Sequence, residues 1–303
     1  MSFSGLLGGN TDVLKPSPEI TAKLKEMLPE YPFHIKAEVA EHLAKELDIS
    51  KAQLMVELIP IARQFAVSVT PVSHFQVGSC CMGLSGDLYL GMNIEFGGEN
   101  LAQTVHSEQS STTNLMCHGE KGMEALAVSS EPCGGCRQFL NEFACANDFL
   151  IMIPERKAVH LGNLLPRSFG PHDLGIKAGM LEMVEEPLLL PKGSDALTEA
   201  AWRAANQTYA PYSHCNAGVA LEFADGQQAS GWYAENAAFN PSLSPLQAAL
   251  IMALASGHNY KQIVRAVLVE RDNNIITHAP ATKSLLGAIA PQAKLEIKKL
   301  TLV

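Results

Sequence analysis

One short stretch of the sequence carries residue types that together bind a transition metal. His106 begins the tripeptide His-Ser-Glu, and a Cys-Gly-Gly-Cys segment follows it, with its cysteines at positions 133 and 136. One imidazole and two thiolates are favoured ligands of Zn²⁺, and three protein ligands leave a fourth coordination position for water. The spacing therefore predicts a catalytic zinc site with His106, Cys133 and Cys136 as ligands.

Local structure is expected to support these ligands. Cys133 and Cys136 are three residues apart at the start of a predicted helix, which places both on one helix face. A helix N-terminus also favours thiolate over thiol. One neutral imidazole and two thiolates balance the charge of the zinc ion.

Glu108 is predicted to have a different role from the ligands. It lies two residues after His106, so its carboxylate is expected beside the metal but outside the coordination shell. Such a carboxylate is suited to carry protons between water and substrate. We therefore expect Glu108 to be the catalytic residue.

Other interpretations of these residues remain open at this point. A closed structural zinc site needs a fourth ligand, for which Cys117 and His118 are the nearby candidates. A redox-active Cys-x-x-Cys pair does not account for His106. A zinc-stabilised binding module without turnover has no use for Glu108. Cys80, Cys81 and Cys145 are expected to be small buried apolar residues.

Composition excludes several classes of protein. The 303-residue chain is 47% hydrophobic and 17% charged, which favours a folded protein of two domains. Its 22 basic and 31 acidic residues give a net charge of −9 and disfavour a nucleic-acid partner. The seven sparse cysteines do not indicate a disulfide framework. The start, residues 1–10, lacks the pattern of a secretory signal, and no window has the roughly 18 apolar residues of a membrane helix. We expect a cytoplasmic protein without a membrane partner.

Hydrophobic spacing predicts three helices near the N-terminus. The first starts at Ser17-Pro18, and the second covers 34–47, with Ile35, Val39, Leu43 and Leu47 on its apolar face. Ser50 caps the third helix, which extends towards Phe65 and is expected to kink at Pro60. Residues 1–50 are therefore interpreted as a small helical region.

After residue 71 strands alternate with helices, which predicts an α/β fold with mixed sheets. Strands are expected over 75–81, 88–92, 125–128 and 149–153, and helices over 101–116 and 133–143. Residues 185–195 are interpreted as a linker. We place the zinc-bearing domain at 51–185 and a second domain at 186–303.

The second domain is predicted to be a copy of the first. Pro71–Gly78 is echoed by Pro211–Gly218 at an offset of 140, and Asn93–Phe96 by Asn236–Phe239 at an offset of 143. The echo of the His-Ser-Glu tripeptide is expected near Gln247-Ala-Ala249, where no ligand remains. The copy is therefore expected to lack a metal site, which gives one zinc per chain.

At these residues the chain resembles the cytidine deaminases, in particular the long bacterial type. The His-x-Glu and Pro-Cys-x-x-Cys combination is the signature of zinc-dependent base deaminases. The resemblance extends over nearly the whole chain and includes these segments: Ser73-His-Phe-Gln-Val-Gly78, Asn93-Ile-Glu-Phe96, Thr104-Val-His-Ser-Glu-Gln109, Pro132-Cys-Gly-Gly-Cys-Arg-Gln-Phe139, Phe169-Gly-Pro171 and Tyr233-Ala-Glu-Asn-Ala-Ala-Phe-Asn-Pro241. It implies duplicated three-layer α/β/α domains, a homodimer, and zinc-dependent hydrolytic deamination of cytidine and 2′-deoxycytidine in pyrimidine salvage.

The resemblance also implies roles for substrate-binding residues. Asn93 and Glu95 are expected to bind the ribose hydroxyls; the alternative is a strand-end turn. Phe75 is expected to pack on the pyrimidine ring; the alternative is a core aromatic. The backbone N–H of Ser107 is expected to bind the base carbonyl, and the backbone near Glu131 the leaving amine.

Phe169 is expected to lie over a neighbouring subunit's pocket; the alternative is a local anchor for the linker. A deaminase of free bases or of RNA remains a rival within the same chemistry. The residues Asn93 and Glu95 favour a sugar-bearing ligand, and the acidic composition disfavours RNA.

Overall fold

The computed structural model describes residues 13–146, 148–183 and 185–303. The opening segment, on which the expectation of no secretory signal depends, lies outside the described residues. The chain packs as two compact units. Unit 1 contains the residues up to Ile94 together with Val105–Ser168, and unit 2 contains Glu95–Thr104 together with Phe169–Val303. The domain boundaries after residues 50 and 185 stay predictions.

Unit 1 begins with three helices and a two-residue strand. They are helix α1 (Pro18–Met27), strand β1 (His34–Ile35), helix α2 (Ala37–Glu46) and helix α3 (Lys51–Phe65). The Ser17 and Ser50 side chains accept the N-terminal N–H groups of α1 and α3, as their cap positions predict. The helix predicted over 34–47 is wrong at its start, because Ile35 pairs in a strand and Val39 is 43% exposed. The buried face of α2 consists of Ala40, Leu43 and Ala44.

The sheet of unit 1 has six strands in the order β1-β3-β2-β4-β5-β6. Its further strands are β2 (Gly78–Gly83), β3 (Leu88–Met92), β4 (Met123–Val128), β5 (Leu150–Met152) and β6 (Val159–His160). Strands β4 and β5 are parallel and the other pairs are antiparallel, which confirms the predicted mixed sheet. The first of these strands begins at Gly78 rather than at Phe75.

Three more helices complete unit 1: α4 (Ser107–Cys117), α5 (Gly134–Leu140) and α6 (Leu161–Leu164). The helix predicted over 101–116 is wrong at its start. Residues Leu101–Gln103 form a separate 3₁₀ turn, and α4 begins only after His106. His106, the predicted ligand, therefore occupies the N-cap of α4.

Helices α3 and α4 lie on opposite faces of this sheet. Gly78 on β2 approaches the α3 backbone at Ile59 and Arg63 so closely that no Cβ fits there. Its neighbour Ser79 points the other way and bonds the α4 backbone at Ser107 O, 2.8 Å away. The arrangement is the predicted three-layer α/β/α fold.

One stretch, Lys51–Val69, is long and apolar enough to cross a membrane by length and composition alone. It comprises α3 and the turn after it, and 61% of its most apolar window is buried inside the protein. Leu54, Met55 and Leu58 of this helix are fully buried. These contacts are those of a core helix packed on a sheet.

Unit 2 repeats this layer arrangement around a four-stranded sheet in the order β10-β9-β7-β8. Its elements are α7 (Ala196–Ala205), β7 (Ala217–Phe223), β8 (Gln228–Trp232), α8 (Pro245–Ala255), β9 (Ile263–Arg271), α9 (Ala279–Ile289) and β10 (Lys294–Leu300). Gly218 on β7 approaches the α7 backbone as Gly78 approaches α3, and Gly231 on β8 approaches α8 as Gly91 on β3 approaches α4. The duplication predicted from the sequence is therefore visible in the structure.

The register of the duplication corrects the second predicted echo. The Gly78–Gly218 and Gly91–Gly231 pairs both have an offset of 140, so Glu95 corresponds to Glu235 and not to Ala238. Two main-chain bridges, Ile94–Val105 and Ala234–Leu243, mark the same point in each unit. The predicted match at an offset of 143 is therefore wrong, although the duplication itself stands.

The segment interpreted as a linker is an ordered part of unit 2. Leu188 is completely buried; its N–H donates to Asn206 Oδ1 and its carbonyl accepts from Trp202 Nε1. It also forms a main-chain bridge with Leu302. This stretch pairs with the C-terminal residues that follow β10.

Candidate metal centre

Three predicted ligands converge where the N-termini of α4 and α5 meet. His106 Nδ1, Cys133 Sγ and Cys136 Sγ all lie within 4.8 Å of one another. Cys133 Sγ is 3.5 Å from His106 Nδ1 and 3.6 Å from Cys136 Sγ. Among the described residues, no other group of three or more histidine, cysteine or acidic side chains gathers in this way.

These separations fit a tetrahedral zinc ion. Zinc–sulfur bonds of about 2.3 Å and zinc–nitrogen bonds of about 2.0–2.1 Å require ligand atoms about 3.6–3.8 Å apart. The separations of Cys133 Sγ from His106 Nδ1 and from Cys136 Sγ, 3.5 and 3.6 Å, come within 0.2 Å of that requirement. Cys117, the alternative fourth ligand, is not part of the group. The residues therefore form an open three-ligand site.

A hydrogen bond between the two cysteine side chains shifts their pKa values in opposite directions. The hydrogen bond between the two cysteine side chains, together with the one to His106, holds the pKa of Cys133 far below its usual range. The same bond and burial raise the pKa of Cys136. The bond to Cys133 raises the pKa of His106, so without metal a thiolate at Cys133 faces an imidazole that binds a proton more readily. The site thus favours one anionic sulfur before a cation enters.

The N-terminus of α4 fixes His106 and places Glu108 in the interior. Gln109 Oε1 accepts the backbone N–H of His106 at 3.1 Å, which is one half of a capping box. Glu108 is only 4% exposed, and burial raises the pKa of its carboxyl group. The neighbouring Cys136 side chain opposes that shift and lowers the pKa of the carboxyl group. The predicted proton carrier therefore lies against the ligand set.

Helix α4 is unusual because most of its buried side chains are polar. Ser107, Ser110, Ser111, Thr112, Thr113 and Asn114 are all at most 2% exposed. Ser79 on β2 links two of them, with its hydroxyl 2.8 Å from Ser107 O and 2.9 Å from Ser111 Oγ. These short side chains let the helix approach the sheet at Gly91 and hold Ser107 rigidly.

Arg137 braces the second ligand segment and was not found by sequence reasoning. Its Nε donates to Pro132 O and its Nη1 to Leu164 O, both at 2.8 Å. It therefore fixes the residue directly before Cys133. The sequence signal for this role was the position of Arg137 one helical turn after Cys133. In the same way, the position of Gln109 three residues after His106 indicated its capping role.

Asn93, predicted to bind ribose, also supports a loop. Its Oδ1 accepts from Val77 N and its Nδ2 donates to Phe75 O, each at 2.8 Å. This is the strand-end role considered as the alternative. The amide nitrogen carries a second hydrogen, so loop support and ligand binding are compatible.

The remaining predicted binding residues have different exposures. Phe75 is 56% exposed, so it is not a core aromatic of this chain. Ser107 is fully buried, and its backbone N–H is one of the first in α4, which have no intrahelical acceptor. The Glu131 carboxylate pairs with Arg156 at 3.0 Å on the surface. Glu95, 7% exposed, and Phe169, 48% exposed, belong to the packing of unit 2.

Unit 2 has no ligands at the matching position. The α8 helix begins after Ser244, whose N–H donates to Gln247 Oε1 as that of His106 does to Gln109. The tripeptide in place of His-Ser-Glu is therefore Ser244-Pro-Leu246. The predicted echo at Gln247-Ala-Ala249 is displaced by one helical turn, but its conclusion is unchanged.

An open His-Cys-Cys metal site with a buried carboxylate beside it, on a mixed sheet between helices, defines a zinc-dependent deaminase. Comparison with known proteins gives the family. The family model described as the zinc-binding region of cytidine and deoxycytidylate deaminases matches residues 50–152 and again 161–283. The chain belongs to the cytidine deaminase family.

Curated relatives agree over most of the chain. A cytidine deaminase from Sodalis glossinidius is 42% identical over 287 residues, which cover 90% of this chain and 92% of that protein. One from Vibrio vulnificus is 44% identical, with 83% and 84% covered. One from Proteus mirabilis is 40% identical, with 94% and 96% covered. The long, duplicated arrangement is thus shared with bacterial cytidine deaminases.

Proposed function

We propose that this protein catalyses the zinc-dependent hydrolysis of cytidine and 2′-deoxycytidine to uridine and 2′-deoxyuridine, with release of ammonia. The observation that carries the proposal is the buried Glu108 carboxyl group against the open His106, Cys133 and Cys136 set. Zinc, when bound there, supplies Lewis-acid activation of a water molecule. A binding module without turnover would gain nothing from Glu108 at this position.

Glu108 carries the protons of the reaction. Its carboxylate oxygen takes one proton from the attacking water and delivers it to N3 of the base. It then takes the proton of the new C4 hydroxyl, which becomes the C4 carbonyl, and delivers that proton to the departing amine. The C4–N bond breaks and a C4–O bond replaces it, so one water is consumed for each ammonia released. Burial of Glu108 excludes bulk water from this exchange.

The substrate-binding roles are part of the same proposal. The Asn93 amide and the Glu95 carboxylate bind the ribose hydroxyls, and the exposed Phe75 ring packs on the pyrimidine. The backbone N–H of Ser107 binds the base carbonyl, and the backbone at Glu131 binds the leaving amine. The rigid hydroxyl contacts of Ser107 support its assignment.

The decisive experiment measures conversion of cytidine, cytosine and a short RNA side by side, followed by ultraviolet absorbance. Rapid conversion of cytidine alone is expected, because the ribose contacts require a sugar and the net charge of −9 disfavours a polyanion. Faster conversion of cytosine or RNA would contradict the nucleoside assignment. Absence of all three activities in zinc-loaded protein would contradict the function.

The finer properties are proposals that rest on the family. We place the enzyme in the cytoplasm, in pyrimidine salvage, as a homodimer with one zinc per chain. Two tightly held zinc ions per chain would contradict the metal-free assignment of unit 2.

Phe169, which is 48% exposed, is proposed to reach the pocket of the neighbouring subunit. Mixing Phe169→Ala with Glu108→Gln subunits tests this. Heterodimers would contain one doubly altered and one intact site, so activity above both parents is expected. Activity no higher than that of the parents would contradict a shared site.

A further inference from the structure

We infer that Gln247, in the metal-free unit 2, is a positioning residue for nucleoside binding because it holds the active-site loop 95–104. The inference rests on the proposed function, in which Glu95 binds the ribose. It also gives a residue of the second unit a part in substrate binding.

The loop leaves unit 1 and packs with unit 2. Its base is closed by the main-chain bridge between Ile94 and Val105, with hydrogen bonds of 2.8 and 2.9 Å. The ten residues between them belong to unit 2 by packing. Glu95 is the first residue of this loop, and His106 follows its end after a single residue. The loop therefore carries the proposed ribose ligand Glu95 at its first position.

Three contacts hold the loop against unit 2. Gln247 Nε2 donates to Gln103 O at 2.7 Å, and Ser284 Oγ donates to Glu99 Oε1 at 2.5 Å. The ring of Phe96 lies 5.9 Å from that of Tyr260, centroid to centroid. Within the loop, Gln103 N bonds Asn100 O at 3.0 Å and Ala102 N bonds Asn100 Oδ1 at 2.8 Å, so internal hydrogen bonds order residues 100–103.

Gln247 stands out within its own helix. In the α8 sequence Pro-Leu-Gln-Ala-Ala-Leu-Ile-Met-Ala-Leu-Ala it is the one polar side chain. Burial against the sheet accounts for the apolar residues, and the side chain of Gln247 is itself only 6% exposed. Both ends of its amide are used: Oε1 accepts Ser244 N at 2.9 Å and Nε2 reaches the loop. A capping role alone requires only the oxygen, so the nitrogen is explained by the loop.

Substitutions distinguish the capping role of the Gln247 oxygen from the loop contact of its nitrogen. Gln247→Glu keeps the cap oxygen, removes the donor and sets a carboxylate against the Gln103 carbonyl. Ser244→Ala is the matched control, because it removes the reciprocal cap bond from Gln247 N to Ser244 Oγ without touching the loop. Ser284→Ala releases the other end of the loop and provides a second variant if Gln247→Glu does not fold.

The measurement is steady-state kinetics with cytidine and with 2′,3′-dideoxycytidine, alongside zinc content. For Gln247→Glu we expect the KM for cytidine to rise about 3- to 10-fold, the effect of losing one hydrogen bond. We expect kcat within about twofold of wild type and one zinc per chain. We also expect a smaller KM change for the dideoxynucleoside, which lacks the 2′- and 3′-hydroxyls that Glu95 is proposed to bind. Ser244→Ala is expected to keep the wild-type KM, and Ser284→Ala to raise it in the same direction.

Several results would overturn the inference. An unchanged KM in Gln247→Glu, an equal rise with dideoxycytidine, the same rise in Ser244→Ala, or loss of zinc would each contradict positioning through Glu95. Inactive, zinc-loaded wild-type protein would instead contradict the proposed function, so the two failures are distinguishable.

Discussion

Arg137 Nε donates a hydrogen bond of 2.8 Å to the carbonyl oxygen of Pro132. Pro132 directly precedes Cys133, so the guanidinium group fixes the backbone that carries the first sulfur. The second bond of Arg137, to Leu164 O at the end of α6, anchors that group to a separate element. The ligand segment is thus held from outside the coordination shell.

Arg137→Met is expected to weaken zinc binding while the fold is retained. The methionine fills much of the space but donates no hydrogen bonds to Pro132 O or Leu164 O. Loss of groups that orient ligands typically costs about 10- to 100-fold in metal affinity. Zinc transfer to a chromogenic chelator should be faster by a similar factor. Arg156→Met, which removes an exposed cation paired with Glu131, is the control and should release zinc at the wild-type rate.

Glu108→Gln is expected to separate metal binding from chemistry. The amide keeps the size of the side chain but does not carry protons, a function typically worth about 10²–10⁴-fold in rate. Zinc content should remain at one per chain, and cytidine turnover should fall by that factor. Glu38→Gln, an exposed carboxylate on α2, is the control. Near-normal turnover of the Glu108 variant would remove this residue from the mechanism.

Cys133→Ala is expected to lose the metal, because it deletes one of three ligands. Metal analysis of the purified protein measures this directly. Cys117→Ala is the matched control, since Cys117 was the alternative ligand but lies outside the group. Stoichiometric zinc in Cys133→Ala, or its loss in Cys117→Ala, would show that the ligand set is wrong.

The ligand set could be predicted from the sequence because its chemistry depends on residue type and local spacing. Cys133 and Cys136 lie within one helical turn, and His106 and Glu108 start another helix. The helix start itself was missed. His106 takes the N-cap position where Ser, Thr, Asp or Asn is the usual signal, so the 3₁₀ turn at 101–103 was merged with α4.

Long-range contacts could not be predicted in the same way. The bond from Gln247 to Gln103 joins residues 144 positions apart, and nothing local indicates it. The predicted register of the duplication was wrong because two identical residues, Asn236 and Phe239, favoured an offset of 143. Only one identical residue in this segment, Glu235, favoured the correct offset of 140. The close approach of Gly218 to the α7 backbone and of Gly231 to the α8 backbone determines the register. Such helix–sheet contacts depend on tertiary packing, which the local sequence does not reveal.

His278 in unit 2 makes stability depend on pH. It caps α9, its ring lies 4.1 Å from that of Tyr233, and its Nε2 has no hydrogen-bond partner within the described residues. Burial lowers the pKa of His278 to about 4. The unfolded chain, with a histidine pKa of about 6.5, therefore binds more protons than the folded chain between these two values. Stability contributed by neutral His278 is fully present above about pH 6.5 and is lost as the pH falls towards about 4.

The expected loss across this window is about 3 kcal/mol, from about 1.4 kcal/mol per unit of pKa difference. Urea unfolding at several pH values from 7.5 to 4.5 measures it, followed by the fluorescence of Trp202 and Trp232 in unit 2. His278→Gln is the matched variant: it loses the titrating group, so its midpoint should fall less steeply with decreasing pH. Parallel pH profiles for the two proteins would mean that other groups, such as the carboxylates, account for the whole acid sensitivity.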